Sequence, residues 1–184
     1  MAYNDALILK EGDSLLALNM INEAITKYTI VIEFSPGNKK AISNRAFAYL
    51  QLDEYIKSLT DYDLAIGLDS TDYQNLSNRA LVKWYLKKYK DAINDCDKAL
   101  KYNPNYAYAY FHKGISQSML RNHKDAIICY NKAIQIDPTF SRAFYNRGNS
   151  KFELNDLTGA CADWEKAKTL GHKTANSMLQ RYCK

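Results

Sequence analysis

Residues 107–140 read AYAYFHKGISQSMLRNHKDAIICYNKAIQIDPTF, and this stretch decides the fold. It carries two apolar stripes. Tyr110, Gly114 and Leu120 mark the first. Ala126, Ile127, Tyr130, Ala133 and Ile134 mark the second, with the i, i+1, i+4, i+7, i+8 spacing of one helical face. A short polar turn separates them. Asp137-Pro138 closes the stretch, because a proline just past a helix stops it and starts the next turn. The unit is a helical hairpin.

Working outward, the same marks recur every 34 residues, without insertion or deletion, over about 170 residues of the chain. Pro36, Pro104 and Pro138 share one lattice, with Ser70 in the remaining place. Gly12, Ala46, Ala80, Gly114 and Gly148 form a column of small residues, and Ala24, Ser58, Ala92, Ala126 and Ala160 form another. A third small column reads Val31, Ala65, Ala99, Ala133 and Ala167. Leucine fills Leu18, Leu52, Leu86, Leu120 and Leu154. An aromatic column reads Tyr28, Tyr62, Cys96, Tyr130 and Trp164. Small residues suit places where two helices cross closely, since overpacking there costs about 1–3 kcal/mol.

Composition agrees with a packed protein. The 184 residues are 47% hydrophobic, with three prolines and seven glycines, which leaves little room for long disordered stretches. The fifteen tyrosines suit half-buried surfaces that partners touch. Net charge is +5, but residues 1–72 carry −5 and residues 73–184 carry +10, a field that can steer an anionic partner to the second half. Ala6-Leu7-Ile8-Leu9, ended by Lys10-Glu11, is too short for a signal-peptide core or a membrane span, so the chain as given reads as cytoplasmic. Cys96, Cys129, Cys161 and Cys183 form no Cys-x-x-Cys pair and no metal spacing with His112, His123 and His172. The expectation is four buried or half-buried thiols in a reducing compartment, and no metal or cofactor.

The columns together resemble the tetratricopeptide repeat, which favours small residues at repeat positions 8, 20 and 27, an aromatic at 24 and proline at 32. The resemblance spans five repeats, 5–38, 39–72, 73–106, 107–140 and 141–174. It implies a single all-α domain over 1–184, a right-handed superhelical solenoid of antiparallel helix pairs. The ending from Gly159-Ala160-Cys161 to Leu170-Gly171 is similar to that of short bacterial members. Ala175, Met178, Leu179 and Tyr182 make one stripe, so residues 175–184 are expected to form a capping helix over the last repeat. One departure is position 7, leucine in the family and here Glu11, Arg45, Arg79, Lys113 and Arg147. Arginine and lysine stems can pack there while their heads reach water.

The resemblance also implies a concave groove lined by the first helix of each repeat. Position 6 of that helix reads Lys10, Asn44, Asn78, His112 and Asn146. An asparagine offers both a donor and an acceptor, so a column of them can pair with an extended peptide backbone. Phe47, Trp84, Tyr85, Tyr108, Phe111, Tyr145 and Phe152 surround the column as candidate anchors. Lys40 and Arg142 add positive charge, and Asp13 and Glu153 negative. The clamp that some members use for chaperone tails requires lysine and asparagine where Leu9 and Asp13, Ser43 and Phe47, or Ser77 and Leu81 stand, so none is expected.

Catalytic patterns are missing: no Gly-rich phosphate loop, no His-Glu-x-x-His, no Gly-x-Ser-x-Gly. Cys129 reads as a buried thiol, and Asp91, Asp95 and Asp97 beside Lys87, Lys88 and Lys90 as a solvated face. The functional expectation is a non-enzymatic adaptor that binds an extended segment of a protein partner. The alternatives are a self-assembling repeat module, or a binder of an anionic partner through the basic second half. Nucleic acid and membrane are not expected partners.

Overall fold

The computed structural model describes residues 4–183. They form eleven helices: α1 Asp5–Ala17, α2 Ile21–Phe34, α3 Lys39–Gln51, α4 Tyr55–Leu68, α5 Tyr73–Tyr85, α6 Tyr89–Tyr102, α7 Ala107–Met119, α8 His123–Ile136, α9 Ser141–Glu153, α10 Leu157–Thr169 and α11 Ala175–Tyr182. The class is all-α, built of antiparallel helix pairs. The chain comprises two compact units that join at Lys87–Lys88, one holding α1–α5 and the other α6–α11. A single domain was the sequence expectation, and the join falls inside segment 73–106. Each hairpin of a repeat array packs only on its neighbours, so no strong core boundary marks where units begin.

The turns explain the 34-residue lattice. Leu18, Leu52, Leu86, Leu120 and Leu154 cap the first helix of each pair. The residue after each, Asn19, Asp53, Lys87, Arg121 and Asn155, is left-handed, with φ between 59° and 64°. The next amide then bonds back to the last helical turn: Met20 N–H to Leu15 O, Glu54 to Tyr49, Asn122 to Gln117 and Asp156 to Lys151, all 2.9 Å. That is the Schellman closure, which satisfies carbonyls the helix leaves open. Second helices end differently. Ser35, Asn103 and Asp137 are pushed toward extended backbone by the proline that follows each.

Packing follows the columns. Tyr28, Tyr62, Tyr130 and Trp164 have no exposed surface. A Cβ at Gly12, Gly114 or Gly148 would lie 2.7, 2.5 and 2.7 Å from the ring of Tyr28, Tyr130 and Trp164. Those glycines are there for close approach, not for turns.

Position 7 corrects the sequence reading. Its charged heads keep part of their surface in water, but they do not stand free there: they are tied to charges sixteen residues away. Lys27 pairs with Glu11 at 2.7 Å, Arg79 with Asp63 at 2.8 Å and Lys113 with Asp97 at 2.6 Å. Arg45 grips Asp61 with Nε and Nη2 at 2.7 and 2.9 Å, and Arg147 grips Asp163 the same way at 2.8 and 2.6 Å. Arg45 also donates to Thr29, and Arg147 to Asn131, one pair back in the chain. At Arg45 and Arg147 the column stitches a first helix to its own second helix and to the one before it, while Arg79 and Lys113 reach the one before.

The cysteines correct a second expectation. Cys161 and Cys183 form a disulfide that ties α10 to the residue after α11. Cys96 and Cys129 are free and buried. Burial pushes the Cys96 thiol well above its usual range and the Cys129 thiol up to about 11. With so little thiolate, both should resist thiol reagents at neutral pH. Under non-reducing conditions the folded protein should show no reactive thiol, and the unfolded protein two. Four would appear only after reduction, and four without reductant would mean the disulfide does not form. The bond closes a loop of 22 residues, worth about 3 kcal/mol by chain entropy, so reduction should lower unfolding stability by that order.

α11 lies against α10. Ala175 is buried with Phe144 and Ala167, while Tyr182 packs on Phe152 and Trp164 with ring centres 4.6 and 6.1 Å apart. Asn176, Gln180 and Arg181 are exposed.

Candidate functional site

In the first unit α1, α3 and α5 lie side by side, and α2 and α4 form the other layer. On the first-helix face Asp13 is a hub. Its Oδ1 accepts from Asn44 Nδ2 at 2.7 Å and from the Tyr28 hydroxyl at 3.0 Å, and its Oδ2 accepts from Lys40 Nζ at 2.9 Å. Burial and this bond hold the Tyr28 hydroxyl above its usual pKa, so it stays a donor. Asn44 is therefore held in place with its amide N–H₂ engaged, which leaves its carbonyl oxygen to meet a ligand. Asn78, half-buried on α5, makes no side-chain hydrogen bond among the described residues. Phe47 is 40% exposed and Tyr85 42%. Tyr85 stacks on Tyr55 at 4.7 Å and meets Trp84 edge-on at 5.0 Å. Lys10 lines a hollow of 520 Å³ with Leu7 and Leu15.

In the second unit the first helices are α7 and α9. Tyr108 is 44% exposed, and Tyr145 and Asn146 are half-buried. Asn146 Nδ2 donates to the Arg142 carbonyl at 2.8 Å, within its own helix. Arg142 is exposed and its guanidinium sits over the rings of Tyr108, Phe111 and Phe140 at 6.0, 5.4 and 5.5 Å. Tyr145 stacks on His172 at 4.2 Å, 15° from parallel. Burial, and then the Arg142 charge, hold the His172 pKa below its usual value, so the ring is neutral at pH 7.

Two candidate site residues leave the surface, and a third, Phe152, is half-buried. Phe111 and His112 are 5% and 3% exposed. Phe111 packs against Phe140 at 4.9 Å and so belongs to the core of its hairpin. Phe152 lies under Tyr182 of α11. Two neighbours escaped the sequence reading. Phe140 sits in a turn outside the helical columns, and His172 in the link to α11. Chemistry-bearing groups do not converge: among the described residues no group of His, Cys, Asp and Glu could hold a metal. No described helix is long and apolar enough to cross a membrane.

Tetratricopeptide-repeat models match residues 73–106, 107–140 and 129–162. No curated protein sequence matches the chain at a significant level. Among solved structures, MamA residues 41 to the end, from Desulfovibrio magneticus, superposes with a TM-score of 0.80 at 18% identity, covering 92% of this chain and 96% of that one. A thermophilic TPR protein from Thermus thermophilus gives 0.80 at 17% identity, covering 98% and 97%. YrrB, a TPR protein described as having an unusual peptide-binding site, gives 0.71 at 18% identity, covering 96% and 92%. At such identities the likeness is one of fold. With the repeat models and the hairpin geometry, it places the chain in the tetratricopeptide-repeat family.

Proposed function

We propose that the chain is a scaffold for protein–protein interaction that holds an extended segment of a partner against its first-helix faces. The observation that carries this is the exposure of large rings there. Phe47, Tyr85 and Tyr108 stay 40–44% exposed, whereas Tyr28, Tyr62, Tyr130 and Trp164 are fully buried. Rings in such places are the usual anchors of an interface. The Asn44 carbonyl, the free amide of Asn78 and the carbonyl of Asn146 supply backbone-pairing groups beside them. Family membership supports the same reading. The buried, protonated Cys129 offers no nucleophile. The Cys161–Cys183 disulfide supports an oxidising compartment in place of the cytoplasm that the sequence suggested.

The test is enrichment from a random-peptide display library, followed by binding of the enriched peptides to Phe47→Ala, Tyr108→Ala and the triple variant Asn44→Ala, Asn78→Ala, Asn146→Ala. Loss of a true anchor costs about 2 kcal/mol or more, so at least one ring variant should bind about 30-fold more weakly while staying helical. Unchanged affinity in all three variants would move the working surface away from these faces.

A further inference from the structure

Three of the six arginines are spent on carboxylates, and Arg142 is held in another way. Arg45, Arg79 and Arg147 each end on an aspartate at 2.9 Å or less. Arg142 is exposed, and among the described residues no carboxylate pairs with it and no acceptor meets its N–H groups. The chain has nonetheless built a place for it. Three rings from two neighbouring helix pairs, Tyr108 and Phe111 of α7 and Phe140 from the turn before α9, stand within 6.0 Å of its guanidinium carbon. Rings attract a guanidinium through their negative faces and restrict its motion, without using any of its five donors. A fixed cation with all its donors unspent is a receptor for an anion, and its planar fork fits a carboxylate with two parallel bonds.

The surroundings narrow the ligand. Residues 88–184 carry sixteen Lys and Arg against nine Asp and Glu, so this unit attracts negative charge. Next to the fork the surface is aromatic, not cationic: Tyr108 is 44% exposed, and Tyr145 and His172 form a stacked pair 4.2 Å apart. A nucleic-acid backbone would need several cations in a row, one for each phosphate, and this site offers one fork set among rings. One charge bordered by apolar rings matches a peptide that presents an acidic side chain with an apolar neighbour.

We propose that Arg142 is the seat for an aspartate or glutamate side chain of the bound segment, with the adjoining apolar side chain resting on Tyr108 or on Tyr145. This rests on the peptide-holding reading above and names the chemistry that reading left open. It differs from a chain-terminal clamp, because the anion is a side chain within the segment.

The experiment takes peptides enriched on the full chain and makes each a second time with every Asp or Glu changed to Asn or Gln. Both forms are titrated by fluorescence anisotropy into the parent, Arg142→Gln and Arg142→Lys. Arg142 is exposed, so the variants should fold, and circular dichroism checks it. One amide change should weaken binding to the parent by about tenfold or more, since a bond to a charged group is lost. The same change should alter binding to Arg142→Gln less than twofold. Arg142→Lys should fall between, because an ammonium cannot form the two-pronged contact. If peptides bind but acid and amide forms bind alike, the seat is wrong and the peptide reading stands. If no peptide is enriched, that reading falls and the seat with it. If single-stranded DNA or inorganic phosphate displaces the peptides through Arg142 at comparable concentrations, the site is a general anion site and the proposal is overturned.

Discussion

Asp163→Ala is expected to lower the unfolding stability by about 3–5 kcal/mol, the range for removing one member of a buried ion pair. Asp163 is 4% exposed and holds two cations at once. Arg147 reaches it with two nitrogens at 2.8 and 2.6 Å, and Lys151 reaches Oδ2 at 2.8 Å. Those two side chains keep only 18% and 23% of their surface in water. Alanine would strand both, and the cost comes from two poorly hydrated charges without a counter-ion. The attraction lost is the smaller part, because pairing buried ions first requires taking them out of water. The cause can be isolated. In an Arg147→Met, Lys151→Met background there is no cation to strand, so Asp163→Ala should cost far less. Urea unfolding at constant slope measures both arms of the cycle. Equal costs in both backgrounds would show that Asp163 matters for its shape and not for its charge.

That pair also shows where the sequence stopped being readable. The glycine, alanine, proline and aromatic columns were legible because each answers a local demand of one hairpin: a close crossing, a helix stop, a ring to fill the gap. Residues 107–140 alone contain all of them. The charged column at Glu11, Arg45, Arg79, Lys113 and Arg147 was equally regular, but its partners stand sixteen residues away on another helix. Which way a long side chain bends across that gap is settled by packing. The pattern was in view, since Asp61 follows Arg45 and Asp163 follows Arg147 at the same distance. It could not be told from a solvated stripe without the helices in place.

The candidate site was legible by the same measure. Phe47 and Tyr108, on first helices, are 40% and 44% exposed, and Asn146 is half-buried. Phe111 does not reach the surface, because Phe140 comes in from a turn and packs on it, and His112 is buried beside Phe111. Turn residues have no helical period, so no column announces them. Cys161 and Cys183 stand in one repeat and in the closing helix, and the fold alone brings their Cα atoms to 5.8 Å. The seat at Arg142 was half-visible for a like reason. Its charge could be read from the sequence, but its lack of a partner and its three rings could not.

Trp164→Ala should cost about as much as the loss of Asp163, about 3–5 kcal/mol, by a different cause. Trp164 is fully buried, and its ring fills the space between Gly148 on α9 and Tyr182 on α11. Removing it opens a cavity that rigid helices cannot close, and strips Asn149 Oδ1 of its donor at 2.9 Å. Tyr182 and Phe152 lose a shared neighbour, so the disulfide-tied α11 should loosen first, visible as faster amide exchange at Leu179–Tyr182. The cavity account makes a sharper claim about Gly148. A Cβ there would sit 2.7 Å from Trp164 Nε1, so Gly148→Ala alone should destabilise by about 1–3 kcal/mol. Once the ring is gone that clash vanishes, and alanine gains about 1 kcal/mol over glycine in a helix interior. Gly148→Ala should then be neutral or stabilising in the Trp164→Ala protein. If it costs the same in both, ring contact is not what keeps this column small. The remaining close atom, the Ala160 carbonyl at 3.1 Å, would then be the cause, and the spacing of helix backbones would set the column by itself.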